Sequence, residues 1–286
     1  MKMKNPQDIS LPFFAYGIFK PGQLAFFQIR EFVCDKKPIK VKGGLLIRDG
    51  LPIINLKGYG FVNGALIFFE KGKEEDAYGC ISAMEPDKHY KWSTLTVNNE
   101  IDNDNKPQTA NVLAGIKPLK GSIYYEGDNW DGWEDPLFNE ALEVVEDESK
   151  QGCEWDLKYM FKLQMAYLLL WSSIERYVSL RYHFGDKATM KIQQLAREKI
   201  FALSLKEIVK KKRYLYRADK PGEKLTLDPK DPKKSVPYYY QIRSNIIHRG
   251  KGGLDNLALI KKSLQELLQI FRNVLEAAKD DAEKIT

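Results

Sequence analysis

The hydrophobic spacing of this chain changes period once, and that change limits what it can fold into. Up to about residue 116 the apolar residues fall in short runs, at 11–16, 44–47, 64–69, 92–97 and 110–116, rich in aromatic and β-branched side chains. Turn residues separate them, as at Lys20-Pro21-Gly22, Arg48-Asp49-Gly50 and Asp102-Asn103-Asp104-Asn105. Short runs bounded by such turns predict strands. One stretch there, 22–33, has helical spacing at Leu24, Phe27 and Phe32. Beyond residue 150 the apolar residues instead recur at three- and four-residue steps, which predicts helices over 156–182, 189–212 and 254–282. The first is read from Leu157, Met160, Phe161, Met165, Leu168, Leu169 and Ile174. The segment 217–236 is rich in Pro, Asp and Lys and reads as a loop. The fold expected is α+β: a small mixed β-barrel over 1–120, then an all-α bundle over 151–286. The acidic, Trp-rich 121–150 would be a linker or the first helix of the bundle.

Three scattered cysteines, Cys34, Cys80 and Cys153, make no disulfide framework and fit a reducing, cytoplasmic setting. No Cys or His spacing marks a metal site, and no cofactor is implied. The longest apolar run, 165–171, is too short to span a bilayer, so no membrane partner is expected. The net charge of +6 divides unevenly. Residues 1–150 hold 18 Lys and Arg against 23 Asp and Glu, and residues 151–286 hold 27 against 16. A basic second half is compatible with RNA, and equally with a solvated helical surface.

Two constellations carry chemistry. The first is the run Tyr238-Tyr239-Tyr240-Gln241-Ile242-Arg243-Ser244-Asn245-Ile246-Ile247-His248-Arg249-Gly250. A guanidinium holds phosphate and an imidazole moves protons, so Arg243 and His248 together can serve metal-free RNA cleavage. The plain alternative is a solvated helix end. The run resembles the RxxxxH signature of HEPN domains, especially the Apea-like group, which are helical bundles, often dimeric, many of them ribonucleases. The resemblance implies that Arg243 binds the scissile phosphate, that His248 handles the 2′-hydroxyl or leaving-group proton, and that a homodimer forms through the helical domain. Ser244 stands where the family more commonly has Asn, Asp or His, and Asn245 follows it. Glu175 lies where Apea-like proteins carry a Glu facing the Arg; pairing with Arg176 or Arg181 is the alternative. Lys210, Lys211, Lys212 and Arg213, with Arg249, are candidate phosphate contacts. Stacking of Tyr238, Tyr239 and Tyr240 on bases competes with burial in a bundle core.

The second constellation has three parts: Phe14-Ala15-Tyr16-Gly17-Ile18-Phe19-Lys20-Pro21-Gly22, then Gly43-Gly44-Leu45-Leu46-Ile47-Arg48-Asp49-Gly50-Leu51-Pro52, then Glu85 before Pro86. A glycine turn after a strand presents backbone N–H groups to an anion. A carboxylate shielded by apolar neighbours can have its pKa raised enough to act as a base. The order is similar to that of the γ-glutamylcyclotransferase-like (AIG2-like) family. What that implies is a substrate loop of Tyr16, Gly17, Ile18 and Phe19 acting through backbone amides, with Glu85 as the acid/base that closes 5-oxoproline and releases an amine. Ile18 replaces the usual Ser or Thr, and the loop is more apolar than usual. Glu85 as a surface carboxylate at a helix start is the plain alternative. Three functions follow: a ribonuclease effector beside a γ-glutamyl or amine sensor, a γ-glutamylamine cyclotransferase with a dimerising bundle, or a non-catalytic RNA- or partner-binding protein.

Overall fold

A computed structural model of the chain describes residues 3–85, 87–97, 107–152, 156–183, 188–249 and 254–284. The chain divides into two compact units, Met1–Trp133 with Ala282–Thr286, and Glu134–Asp281. Both α and β structure are present, as the mixed composition of spacings demands.

The first unit is built on an eight-stranded mixed sheet: β1 (Phe13–Ala15), β2 (Val33–Lys42), β3 (Gly44–Arg48), β4 (Leu51–Asn55), β5 (Phe61–Phe69), β6 (Tyr90–Val97), β7 (Gln108–Gly115) and β8 (Ile123–Tyr124). Their order is β2-β5-β1-β7-β4-β3-β8, with β6 also on β7. The β3–β4 hairpin turns at Asp49 and Gly50, which take φ of 53° and 74°, as a two-residue turn between right-twisting strands requires. Helix α1 (Glu74–Met84) buries Ala77, Tyr78 and Ile81, and its Tyr78 ring meets Phe13, Phe69 and Trp92 edge-on. The 22–33 stretch forms two short 3₁₀ turns, Leu24–Gln28 and Arg30–Phe32.

The barrel expected from the sequence is not closed: the outer strands β2 and β8 do not pair with each other. Strand β2, Val-Cys-Asp-Lys-Lys-Pro-Ile-Lys-Val-Lys, carries four lysines and Pro38, composition that resists further edge pairing. The sheet divides along β7. Strand β6 pairs with β7 throughout, from Tyr90↔Gly115 to Val97↔Gln108. The opposite edge is shared by two parallel neighbours, β1 at Phe13↔Asn111 and β4 at Ile54↔Ala114. Where β1 and β4 part, a cleft opens.

The second unit holds α2 (Glu140–Lys150), α3 (Leu157–Tyr182), α4 (Ala188–Leu195), α5 (Lys199–Ile208), α6 (Pro232–Arg249) and α7 (Leu254–Glu283). Tyr159, Leu163, Tyr167, Leu170, Trp171, Ile174 and Tyr177 of α3 are buried, as are Leu264, Leu267 and Phe271 of α7. Leu157, Phe161 and Met165, expected on the core stripe of α3, are instead exposed on a second stripe at four-residue steps. The single helix expected over 189–212 breaks at the 196–198 turn into α4 and α5. The unit is not all-α. A hairpin of β9 (Arg213–Tyr216) and β10 (Lys224–Leu227) occupies part of the expected loop. Helix α6 also starts earlier than expected, because Asp231 accepts from the Lys234 N–H and Pro232 takes the first helical position. Among the described residues no helix is long and apolar enough to cross a membrane.

Candidate active site

The cleft between β1 and β4 collects the parts of the second constellation. It is narrow, with a cavity volume of about 20 Å³, and its walls include Tyr16, Gly17, Ile18, Pro52, Glu85 and Tyr90. The Tyr16-Gly17 turn leaves β1 pressed against Pro52: a Cβ on Gly17 would lie 2.7 Å from Pro52 Cγ. Only glycine permits that approach. The turn is closed by Lys20 N–H donating to Gly17 C=O at 2.9 Å and Ala25 N–H to Ile18 C=O at 3.1 Å. Among the described residues no backbone carbonyl accepts from the Ile18 and Phe19 N–H groups. The Ile18 and Phe19 side chains are buried, and Phe19 meets the Phe13 ring edge-on.

Glu85 follows the last turn of α1, not the start of a helix. Its N–H donates to Ile81 C=O at 3.3 Å, and its own backbone is extended, as a following proline favours. The side chain is only 8% exposed. Its Oε2 is buried with no hydrogen-bond partner among the described residues. Burial alone pushes the carboxyl up to about 8. Surface placement, the plain alternative, is thereby corrected.

Two tyrosines brace the cleft. Tyr16 Oη donates to Leu113 C=O at 2.7 Å, and Tyr90 Oη donates to Pro52 C=O at 3.0 Å. Burial, then the neighbouring Glu85 charge, hold the Tyr90 phenol well above its ordinary range; burial does the same for Tyr16. Both stay protonated and serve as donors rather than bases. Behind them Arg48, 9% exposed, donates to the carbonyls of Lys117 at 2.8 Å and Pro118 at 3.2 Å and to Ser122 Oγ at 3.1 Å. It fixes the segment after β7 to the β3–β4 turn. Nothing in the sequence marked Tyr90 or Arg48 for these tasks. Both stand inside or just after the ordered motif pieces, but no role was legible for either.

The first constellation is less complete. Arg243 Nη2 lies 3.8 Å from Glu175 Oε1, beyond hydrogen-bond range, and its guanidinium sits 5.3 Å from the Tyr240 ring. Arg176 and Arg181 pair with Asp135 and Asp281, so Glu175 faces Arg243 rather than either of them. His248 and Arg249 lie on α6, but their side chains are outside the described residues. Asn245 is a structural anchor: its Oδ1 accepts from Ala218 N–H at 3.1 Å and its Nδ2 donates to Tyr216 C=O at 3.2 Å. Ser244, beside it, is half-buried. Tyr238 and Tyr239 are fully buried, out of reach of a base. Of the basic run, Arg213 makes a two-armed ion pair with Glu266 and Lys212 pairs with Asp228 at 2.6 Å, so Arg213 is withdrawn from any phosphate. Lys210 and Lys211 are exposed.

Among the described residues no group of three His, Cys, Asp or Glu converges as a metal site. Neither a protein-family model nor a curated protein matches this chain.

Proposed function

We propose that the first unit is an acid/base site for intramolecular aminolysis, releasing 5-oxoproline and an amine from a γ-glutamyl amine. The observation that carries this reading is Glu85: a buried carboxyl with one oxygen unpartnered among the described residues, in a cleft walled by the Tyr16-Gly17-Ile18-Phe19 loop. In the reaction the Ile18 and Phe19 N–H groups hold the substrate's α-carboxylate. Glu85 takes a proton from the α-ammonium, and the freed nitrogen attacks the γ-carbonyl carbon. The C–N bond to the departing amine then breaks as Glu85 returns that proton to its nitrogen, and the second proton, lost from the ring nitrogen as the lactam N–H forms, leaves on the released amine as its ammonium. A base near 8 suits this shuttle, since it both accepts and returns a proton near neutral pH. Walls of Phe13, Leu51 and Leu113 favour an amine with an apolar, uncharged substituent.

The test is release of 5-oxoproline from a panel of L-γ-glutamyl amines of graded side-chain size. Wild type should turn over the apolar members, and Glu85→Gln should lose at least a hundredfold. Absence of release from every member would remove the reading.

A second reading is favoured by the Arg243–Glu175 approach. Here the second unit is a metal-independent ribonuclease using Arg243 and His248. A shallow groove of Leu157, Phe161, Met165 and Ile247 runs beside the end of α6 and supports a homodimer through the helical unit. RNA cleavage in EDTA that is lost in both Arg243→Ala and His248→Ala would establish it, and its persistence in either variant would discard it.

A further inference from the structure

We propose that the outer face of the β9–β10 hairpin is a stacking platform for single-stranded nucleic acid. The register pairs Arg213 with Leu227, Tyr214 with Thr226, Leu215 with Leu225 and Tyr216 with Lys224. Side chains alternate across a strand, so Tyr214, Tyr216, Lys224 and Thr226 share one face. The other face is anchored: Leu227 is fully buried and Arg213 pairs with Glu266. That anchoring leaves Tyr214 and Tyr216 more than half exposed, at 52% and 58%. Two large rings at alternate positions of a fixed strand are unexplained by packing.

Charge identifies the occupant. Residues 206–234 hold 11 Lys and Arg against 5 Asp and Glu, a net +6 equal to that of the whole chain. Lys210, Lys211 and Lys224 are exposed, and Lys224 Nζ sits 3.7 Å from the Tyr214 ring centroid. An ammonium held at a ring supplies the cation that a phosphate backbone needs next to a stacked base. A recess of about 440 Å³, whose lining includes both tyrosines with Leu215, Arg217, Asn245 and Ile246, adjoins the hairpin. An anionic lipid surface would answer the charge, but the outer face carries no aliphatic or Trp side chain to insert. This proposal is independent of Glu85 and requires no cleavage by His248.

The test is fluorescence anisotropy with a short 2′-O-methyl oligonucleotide, which cannot be cut through its 2′-oxygen, beside a single-stranded DNA and a duplex of the same sequence. Vesicles of phosphatidylserine and phosphatidylcholine form a separate arm. Both single strands should bind more tightly than the duplex. Tyr214→Ala and Tyr216→Ala should each weaken binding roughly 5- to 150-fold, and the Tyr→Phe pair should retain it. Lys211→Ala with Lys224→Ala should lower the salt slope by about 1.4. Unaltered melting of these surface variants separates lost contact from lost fold. Equal affinity of the double Tyr→Ala variant, equal binding of duplex, capture by vesicles instead of oligonucleotide, or no binding by wild type would each overturn it.

Discussion

Glu85 holds its proton to about 8 because burial penalises the charged form and no donor compensates. The sign of the stability effect follows. A carboxyl whose folded pKa is raised favours the folded state below its ordinary value of 4.5, and that advantage is lost as pH rises towards 8. By pH 7 the carboxyl therefore works against folding by about 3 kcal/mol. Glu85→Gln removes the titration. Its stability relative to wild type should rise between pH 5 and 8, measured by urea unfolding at each pH. A pH-independent difference would mean that the carboxyl is solvated. Gly17 makes the complementary case for geometry. Gly17→Ala forces its Cβ against Pro52, at a cost of about 1–3 kcal/mol, with loss of turnover. Pro52→Ala in the same chain should recover part of both, as a double-mutant cycle would register.

At the scale of elements, the β9–β10 hairpin is pinned by one buried ion pair and one carboxamide. Among the described residues, Arg213→Met leaves the buried Glu266 with the Tyr239 hydroxyl, at 3.2 Å, as its remaining partner, and should cost about 3–5 kcal/mol in denaturant unfolding. Adding Glu266→Met should recover most of that cost, because the loss lies in the stranded charge. The hairpin was not legible in the sequence, since Pro221-Gly222 and its many charges read as loop. Strand β2 was hidden in the same way: its lysines and Pro38, which protect an edge, remove the alternation that reveals a strand. The inner strands β1, β3, β5 and β7 were readable because apolar runs survive where strands are covered, and the half-exposed edge strand β6 was readable by its aromatic and β-branched residues. Helix α3 was readable as a helix but not for its facing. Apolar residues surround it, and period alone does not say which stripe meets the core. Of the cleft, Tyr16, Gly17 and Glu85 were reached through motif order, whereas Tyr90 depends on the β6–β7 register, which no local pattern encodes.

At the scale of the whole molecule, chemistry is distributed between two units. The first carries the buried carboxyl, and the second carries the hairpin and the Arg243 helix. The aminolysis reading rests on the first unit alone, so variants in the second, such as Tyr214→Ala, should leave 5-oxoproline release unchanged. The most direct test of the central claim is the pH profile of kcat/KM for 5-oxoproline release, wild type beside Glu85→Gln. Wild type should show a rise with an apparent pKa near 8, set by the buried carboxyl, and the variant near-absent release. Equal rates for the two proteins across that range would contradict it.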